Sequence, residues 1–196
     1  VTAQEVLALK PHSILVATGS NVISIPLEGL DQVQTVQAHD VLANDMQFAN
    51  KKVVVIGGGI TGLETALYIN RQGTNQVSVV DMLPEWPVDM LDMRYQNEAL
   101  LEVRHCNDQG VALFYNNKVV KFADGKLFIE STKDGEVKEL PADVIVLSVG
   151  VKPNDALWQE LLASGHPSVW KAGDAIATGK INKAVLHGSK FGYSLN

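Results

Sequence analysis

Between residues 51 and 81 the chain reads KKVVVIGGGITGLETALYINRQGTNQVSVVD, and no other stretch restricts the fold as tightly. Two short β-branched runs, VVVI and VSVV, flank a glycine cluster and a segment with helical spacing. Runs so apolar and so short read as strands buried on both faces. Between them Ile60, Leu63 and Leu67 fall on one stripe, with Ala66 and Tyr68 beside it, and Gly73 stands where a left-handed C-cap is wanted. The spacing therefore predicts strand 52–56, helix 59–72 and strand 76–81. Two parallel strands joined by a crossover helix demand a parallel sheet, which sets the chain in the α/β class.

Gly57, Gly59 and Gly62 satisfy G-x-G-x-x-G, with a strand before them and a helix starting within them. Each answers a different physical need. Gly57 permits the tight turn, Gly59 lets a pyrophosphate approach the backbone, and Gly62 lets helix pack closely on strand. The helix start, with Ile60 and Thr61, offers free N–H groups and the positive end of the dipole to phosphates. Asp81 ends the next strand about 20 residues on, where an acid bonds ribose hydroxyls. Its charge would repel a 2′-phosphate, so the site is expected to take NAD(H) in preference to NADP. Met82, next to the acid, completes this set. Arg71 and Arg94 are the cations that would overturn that preference by reaching a 2′-phosphate.

Elsewhere the pattern predicts a short helix at 3–9, a strand at 13–17 and a connector over 20–50 with one short helix at 39–43. The proline-punctuated MLPEWPVDM loop at 82–90 leads to a helix at 91–107. Three strand candidates follow, VALFYN, NKVVKFAD and KLFIEST, with hairpin turns at Asp124-Gly125 and Asp134-Gly135. A buried strand at 143–149, a helix at 155–163, a strand at 168–172, a glycine-bearing loop and a helix from Ile181 complete the chain.

A formal charge of −6 without any Lys/Arg cluster argues against a nucleic-acid or anionic-membrane surface. The longest apolar runs fall far short of the roughly 20 residues a spanning helix needs, and no signal peptide is evident, so a cytoplasmic location is expected. Cys106 is the sole cysteine, which excludes an intrachain disulfide, a C-x-x-C pair or a four-cysteine iron–sulfur site within these residues. No catalytic acid or base and no metal-ligand spacing can be identified.

Three further stretches carry a resemblance: ILVATGS at 14–20, DVIVLSVGVKPN at 143–154 and VWKAGDA at 169–175. Their order resembles that in FAD-dependent pyridine-nucleotide oxidoreductases with two dinucleotide domains. VTAQEVLALKPHSILVATGS and GDAIATGKI are similar to the C-terminal half of Old Yellow Enzyme-like NADH:flavin oxidoreductases, the group of 2-enoate reductase and 2,4-dienoyl-CoA reductase. The resemblance implies a Rossmann-like NAD(P)-binding domain, parallel sheet plus β-meander, at 27–151. That domain would be inserted in a partial FAD-binding domain made of 1–26 and 152–196 and lacking its first βαβ unit. Asp174 after Gly173 would then bond the FAD ribityl chain, with Gly179, Lys180 and Ile181 close to the flavin or its phosphates. Val149 and Gly150 would line the nicotinamide side of the NAD pocket, and Glu64 would face the nicotinamide end.

The implied role is to pass hydride from NADH to FAD for reduction of an enoate- or dienoyl-CoA-like substrate. No second glycine fingerprint, FMN barrel or cysteine cluster is present, so the chain is expected to be a fragment whose partners are missing flavin domains of the same polypeptide. Alone it is expected to bind NADH weakly, hold FAD poorly and be inactive. Two alternatives remain: a non-catalytic nucleotide-binding module like that of trimethylamine dehydrogenase-like proteins, and an NADH-dependent disulfide reductase-like flavoenzyme.

Overall fold

The computed structural model describes residues 1–84 and 93–195, with side chains from 99 onward in the second span. Most of the expected 82–90 loop and the expected helix start at Leu91 lie outside the described residues. Helix α1 (Ala3–Ala8) leads to strands β1 (Ile14–Val16) and β2 (Ser20–Val22). A 3₁₀ turn at Leu30–Gln32 precedes β3 (Gln34–Gln37), α2 (Ala38–Ala43), β4 (Lys52–Ile56), α3 (Ile60–Asn70) and β5 (Gln76–Val80). Then come α4 (Met93–Asp108), β6 (Ala112–Phe114), β7 (Asn117–Ala123), β8 (Lys126–Ser131), β9 (Val137–Pro141) and β10 (Val144–Leu147). The last elements are β11 (Val151–Pro153), α5 (Ala156–Ala163), β12 (Val169–Lys171), a 3₁₀ turn at Gly173–Ala175 and α6 (Ile181–Ser194). Among the described residues no helix is long and apolar enough to cross a membrane.

These elements gather into two compact units, Ser24–Val149 and the pair of segments Val1–Ile23 and Gly150–Asn196. In the first, five strands form a sheet in the order β3-β10-β4-β5-β6, every pairing parallel. Successive side chains of a strand point to opposite faces, and here both faces are covered. Val53, Val55, Val77, Val79, Val144 and Val146 pack under the helices against Val41, Leu63, Leu67, Ile69, Val103 and Cys106. Their neighbours Val54, Ile56, Val80, Ile145 and Leu147 meet Phe122, Leu127 and Ile129 of an antiparallel sheet, β7-β8-β9. Double burial explains why the strands read as unbroken Val/Ile runs rather than alternating ones. Each fully buried Val or Leu among them contributes about 1.5–3 kcal/mol.

The β7-β8 hairpin turns on Asp124 and Gly125, with φ of +52° and +73°, the two left-handed positions of a two-residue hairpin. Two assignments differ from the sequence reading. VALFYN supplies β6, the parallel edge strand beside β5, and the third strand of the meander is β9, from VKELP. Within the expected connector, QTVQ forms β3, the opposite edge strand, because β10 lies open to it along Val144–Leu147.

In the second unit β1 pairs with β12 in parallel and β2 with β11 antiparallel. Ile14, Val16 and Leu161 are its buried core, and α1 and α5 contribute Val6, Leu7, Leu157 and Trp158 around it. The Thr2-Ala3-Gln4-Glu5 start of α1 is a reciprocal capping box: the Glu5 N–H donates to Thr2 Oγ1 at 3.2 Å and the Thr2 N–H to Glu5 Oε2 at 2.8 Å. Helix α6 buries none of its residues, and Ile181 is 84% and Val185 60% exposed.

Candidate dinucleotide sites

The glycine turn joins the C-terminal end of β4 to the first turn of α3. Strand order places it where the chain leaves β4 for β5 on one side while β10 lies on the other, the switch point at which open α/β sheets bind ligands. Gly57 has φ of +110°, and a Cβ there would stand 2.7 Å from the Ser148 carbonyl carbon, inside any permissible contact. A Cβ on Gly62 would collide with the Gly57 carbonyl group, whose carbon lies 3.1 Å away, so helix and strand approach as closely as backbone allows. Gly59 differs: nothing lies within 4 Å of its would-be Cβ. Steric need thus explains Gly57 and Gly62, while Gly59 opens on free space.

Gly59 is the N-cap of α3 and supplies no side-chain cap; the first helical bond runs from the Leu63 N–H to the Gly59 carbonyl at 3.0 Å. The N–H groups of Ile60, Thr61 and Gly62 therefore lack intrahelical acceptors, as donors to a pyrophosphate must. Asp81 follows β5, and its Oδ2 accepts the Gly58 N–H at 2.6 Å while Oδ1 accepts the Leu83 N–H at 2.8 Å. The acid is thus brought to the turn itself. Met82 is 61% exposed beside it.

Gly58 is a residue that the motif spacing does not single out, since the pattern leaves its position free. A Cβ on it would lie 2.9 Å from Tyr115 Cε1 and 3.1 Å from Asp81 Cβ. Its only signal in the sequence is the run of three glycines. Arg71 caps the far end of α3 and donates to Gln109 Oε1 at 3.4 Å. An 11-residue helix puts it about 16 Å from the turn, out of reach of a sugar held by Asp81. The Arg94 side chain lies outside the described residues.

Val149 joins the meander-side core just after β10, and Gly150 follows with φ of +94°. Glu64 is exposed one turn into α3, on a cleft of about 560 Å³ shared with Leu67, Tyr68, Arg71, Glu102 and His105. Tyr68 donates to Asp45 there, and that carboxylate pushes the phenol pKa up.

In the other unit a cleft of about 510 Å³ runs between the ends of β1 and β12 and the start of α6, lined by Ala17, Gly19, Gly173, Asp174, Lys180 and Ile181. Asp174 Oδ1 accepts the Gly179 N–H at 3.1 Å and Oδ2 accepts the Ser20 hydroxyl at 3.4 Å. The carboxylate thereby ties the glycine loop to the start of β2, just after the ATG stretch. Gly173, with φ of +61°, turns the chain under it.

Comparison with known proteins places these features in context. A family profile described as pyridine nucleotide-disulphide oxidoreductase matches residues 2–188. The NADH oxidase of Thermoanaerobacter brockii is 31% identical over 201 residues, covering 98% of this chain and 29% of that protein. The cinnamate reductase of Clostridium sporogenes is 30% identical over 155 residues, 76% of this chain and 21% of its own length. Among solved structures, that of a 2-naphthoyl-CoA reductase matches with a TM-score of 0.82 at 25% identity, covering 98% of this chain and 28% of its own. The chain spans less than a third of each of these relatives.

Proposed function

The chain belongs to the pyridine nucleotide-disulphide oxidoreductase family, and on that premise we propose that Ser24–Val149 holds NADH in a flavin-dependent reductase whose other unit helps to hold FAD. One observation carries the reading: Asp81 stands against a glycine turn whose Gly59 faces open space. A pyrophosphate entering over Gly59 meets the unpaired N–H groups at the start of α3, and the adjoining ribose meets a carboxylate. A 2′-phosphate would meet the same negative charge, and Arg71 is too distant to offset it. Val149 and Gly150 line the nicotinamide side, with Glu64 toward the nicotinamide end.

FAD fits the cleft of the second unit through the chemistry of its lining. Asp174 offers an anchored acceptor for ribityl hydroxyls, and Gly173, Gly179, Lys180 and Ile181 form the adjoining cradle. When bound, the flavin supplies the hydride acceptor; these residues supply position and electrostatics, with reacting atoms needing to come within about 3–3.5 Å. The exposed apolar face of α6 awaits further flavin-domain structure of the same polypeptide, and the whole protein works in the cytoplasm. FMN or an iron–sulfur cluster would have to be held by such additional regions.

The relatives named for cinnamate and 2-naphthoyl-CoA, both conjugated carboxyl compounds, support an enoate- or acyl-CoA-like unsaturated substrate. By itself the 196-residue chain binds NADH weakly, retains little FAD and does not turn over. Titration with NADH, NADPH and ADP tests the assignment. NADH should bind at least tenfold more tightly than NADPH, a difference of about 1.4 kcal/mol. Equal affinities remove the NADH assignment, and ADP binding as tightly as NADH points instead to a nucleotide-binding module without hydride transfer.

A further inference from the structure

We propose that Asp81 is a clamp on the phosphate-binding turn as well as a ligand for the sugar, so that one carboxylate couples the two halves of nucleotide recognition. The sugar half of this statement rests on the NADH reading above; the clamp half rests on the protein alone.

The carboxylate is held from two directions. Oδ2 takes the Gly58 N–H at 2.6 Å and Oδ1 takes the Leu83 N–H at 2.8 Å. The backbone behind it is fixed as well: the Asp81 N–H donates to the Phe114 carbonyl at 3.0 Å, and the Asp81 carbonyl accepts the Asn117 N–H at 2.9 Å. Asp81 therefore forms a rigid post at the tip of β5. The turn hangs from that post by Gly58, which fits into a slot closed by the Tyr115 ring at 2.9 Å and by Asp81 Cβ at 3.1 Å from its would-be Cβ. Tyr115 is braced in turn by the helix-side core. Hydrogen bonds from a backbone N–H to an ionised carboxylate are short and about twice as strong as neutral ones. Gly58 is adjacent to Gly59, so its bond sets the orientation of the peptide over which the phosphates must pass.

The coupling changes what selects against a 2′-phosphate. Charge repulsion at Asp81 is screened by salt, whose Debye length falls from about 10 Å at 0.1 M to about 3 Å at 1 M. Displacing the carboxylate from Gly58 is not screened in that way. Removing the acid to admit NADPH also removes the post, so Asp81→Ala loses NADH without gaining NADPH.

The test uses the chain without nucleotide and measures amide hydrogen exchange by NMR. An ionised carboxylate presents two acceptors, whereas a side-chain amide presents one oxygen and one donor nitrogen. In Asp81→Asn, one of the two amides, Gly58 or Leu83, should exchange at least tenfold faster while the other keeps its protection. In Asp81→Ala both should lose it, with Val55 and Val79 in the central strands unchanged. Wild-type exchange at both Gly58 and Leu83 in both variants overturns the clamp, and Asp81→Asn retains shape and volume should Asp81→Ala fail to fold. Clamp-dependent protection combined with equal NADH and NADPH affinities would keep the clamp and remove the sugar reading. An NADH preference with exchange unaffected by either variant would do the reverse.

Discussion

Replacing Gly62 and Gly59 in turn by alanine separates two roles that the motif merges. At Gly62 the new Cβ strikes the carbonyl group of Gly57, which is backbone and cannot rotate aside, so α3 must lift off β4. Overpacking costs typically 1–3 kcal/mol, and a backbone obstacle belongs at the upper end. Alanine recovers up to about 1 kcal/mol over glycine in a helix, leaving a net loss of about 2 kcal/mol. In a chain of this size that lowers the melting temperature by about 4–8 °C. Gly59 has φ of −70° and ψ of 174°, ordinary extended values, and its Cβ would meet nothing within 4 Å. Gly59→Ala should therefore melt near the wild-type temperature, because the disorder it removes from the unfolded chain, worth about 0.4–1 kcal/mol, is offset by the loss of glycine's advantage over alanine at an N-cap. Its methyl group nevertheless occupies the approach to the turn, and NADH affinity should fall. Thermal melts by far-UV circular dichroism, paired with NADH titration, read both effects. A wild-type melt for Gly62→Ala, or a Gly59→Ala destabilised as much as Gly62→Ala, would refute the assignment of steric need to one glycine and ligand access to the other.

Other outcomes follow from the cores. Burial, and secondarily the Glu102 carboxylate, push the Cys106 thiol up to about 11 against an ordinary 9.0, with Arg71 opposing. A raised folded pKa means that the neutral thiol is favoured in the fold; its contribution is complete below pH 9 and is lost as pH rises toward 11, at a cost of order 2 kcal/mol. Denaturant melts across pH 8–11 should show that decline, and it should shrink in Cys106→Ala, the raised Tyr68 phenol contributing at the alkaline end; a thiol reagent should label Cys106 only on unfolding. Leu127→Ala, at a fully buried position of the meander, should cost about 2–5 kcal/mol, read as a lower guanidinium midpoint. A loss below about 1 kcal/mol would mean that the meander is not part of the main core.

The βαβ unit was legible because its strands, glycines and acid are all local in sequence and each answers a local steric or electrostatic demand. The facing of the strands was not. Val53, Val54, Val55 and Ile56 are uniformly apolar, so periodicity cannot reveal that Val53 and Val55 meet helices while Val54 and Ile56 meet the meander. Strand β3 escaped notice because an edge strand needs little apolar surface, and QTVQ shows a single valine. The hairpin turn at Asp124-Gly125 was readable because left-handed backbone selects those residues. Gly58 was not, since the ring that closes on it comes from Tyr115, far along the chain.

Strand β10 lies between β3 and β4, yet residues 57–143 separate it from β4. An interior strand of the sheet is thus the last of its five to be synthesised. Until it arrives, β3 and β4 each carry a bare hydrogen-bonding edge, and β4 presents Val53, Val54 and Val55 beside it, a template for pairing with other chains. Closing so long a separation is entropically costly and slow, which puts completion of the sheet late in folding. A chain cut just before Val144 would leave a sticky half-sheet, whereas six residues more, through Val149, would let it close.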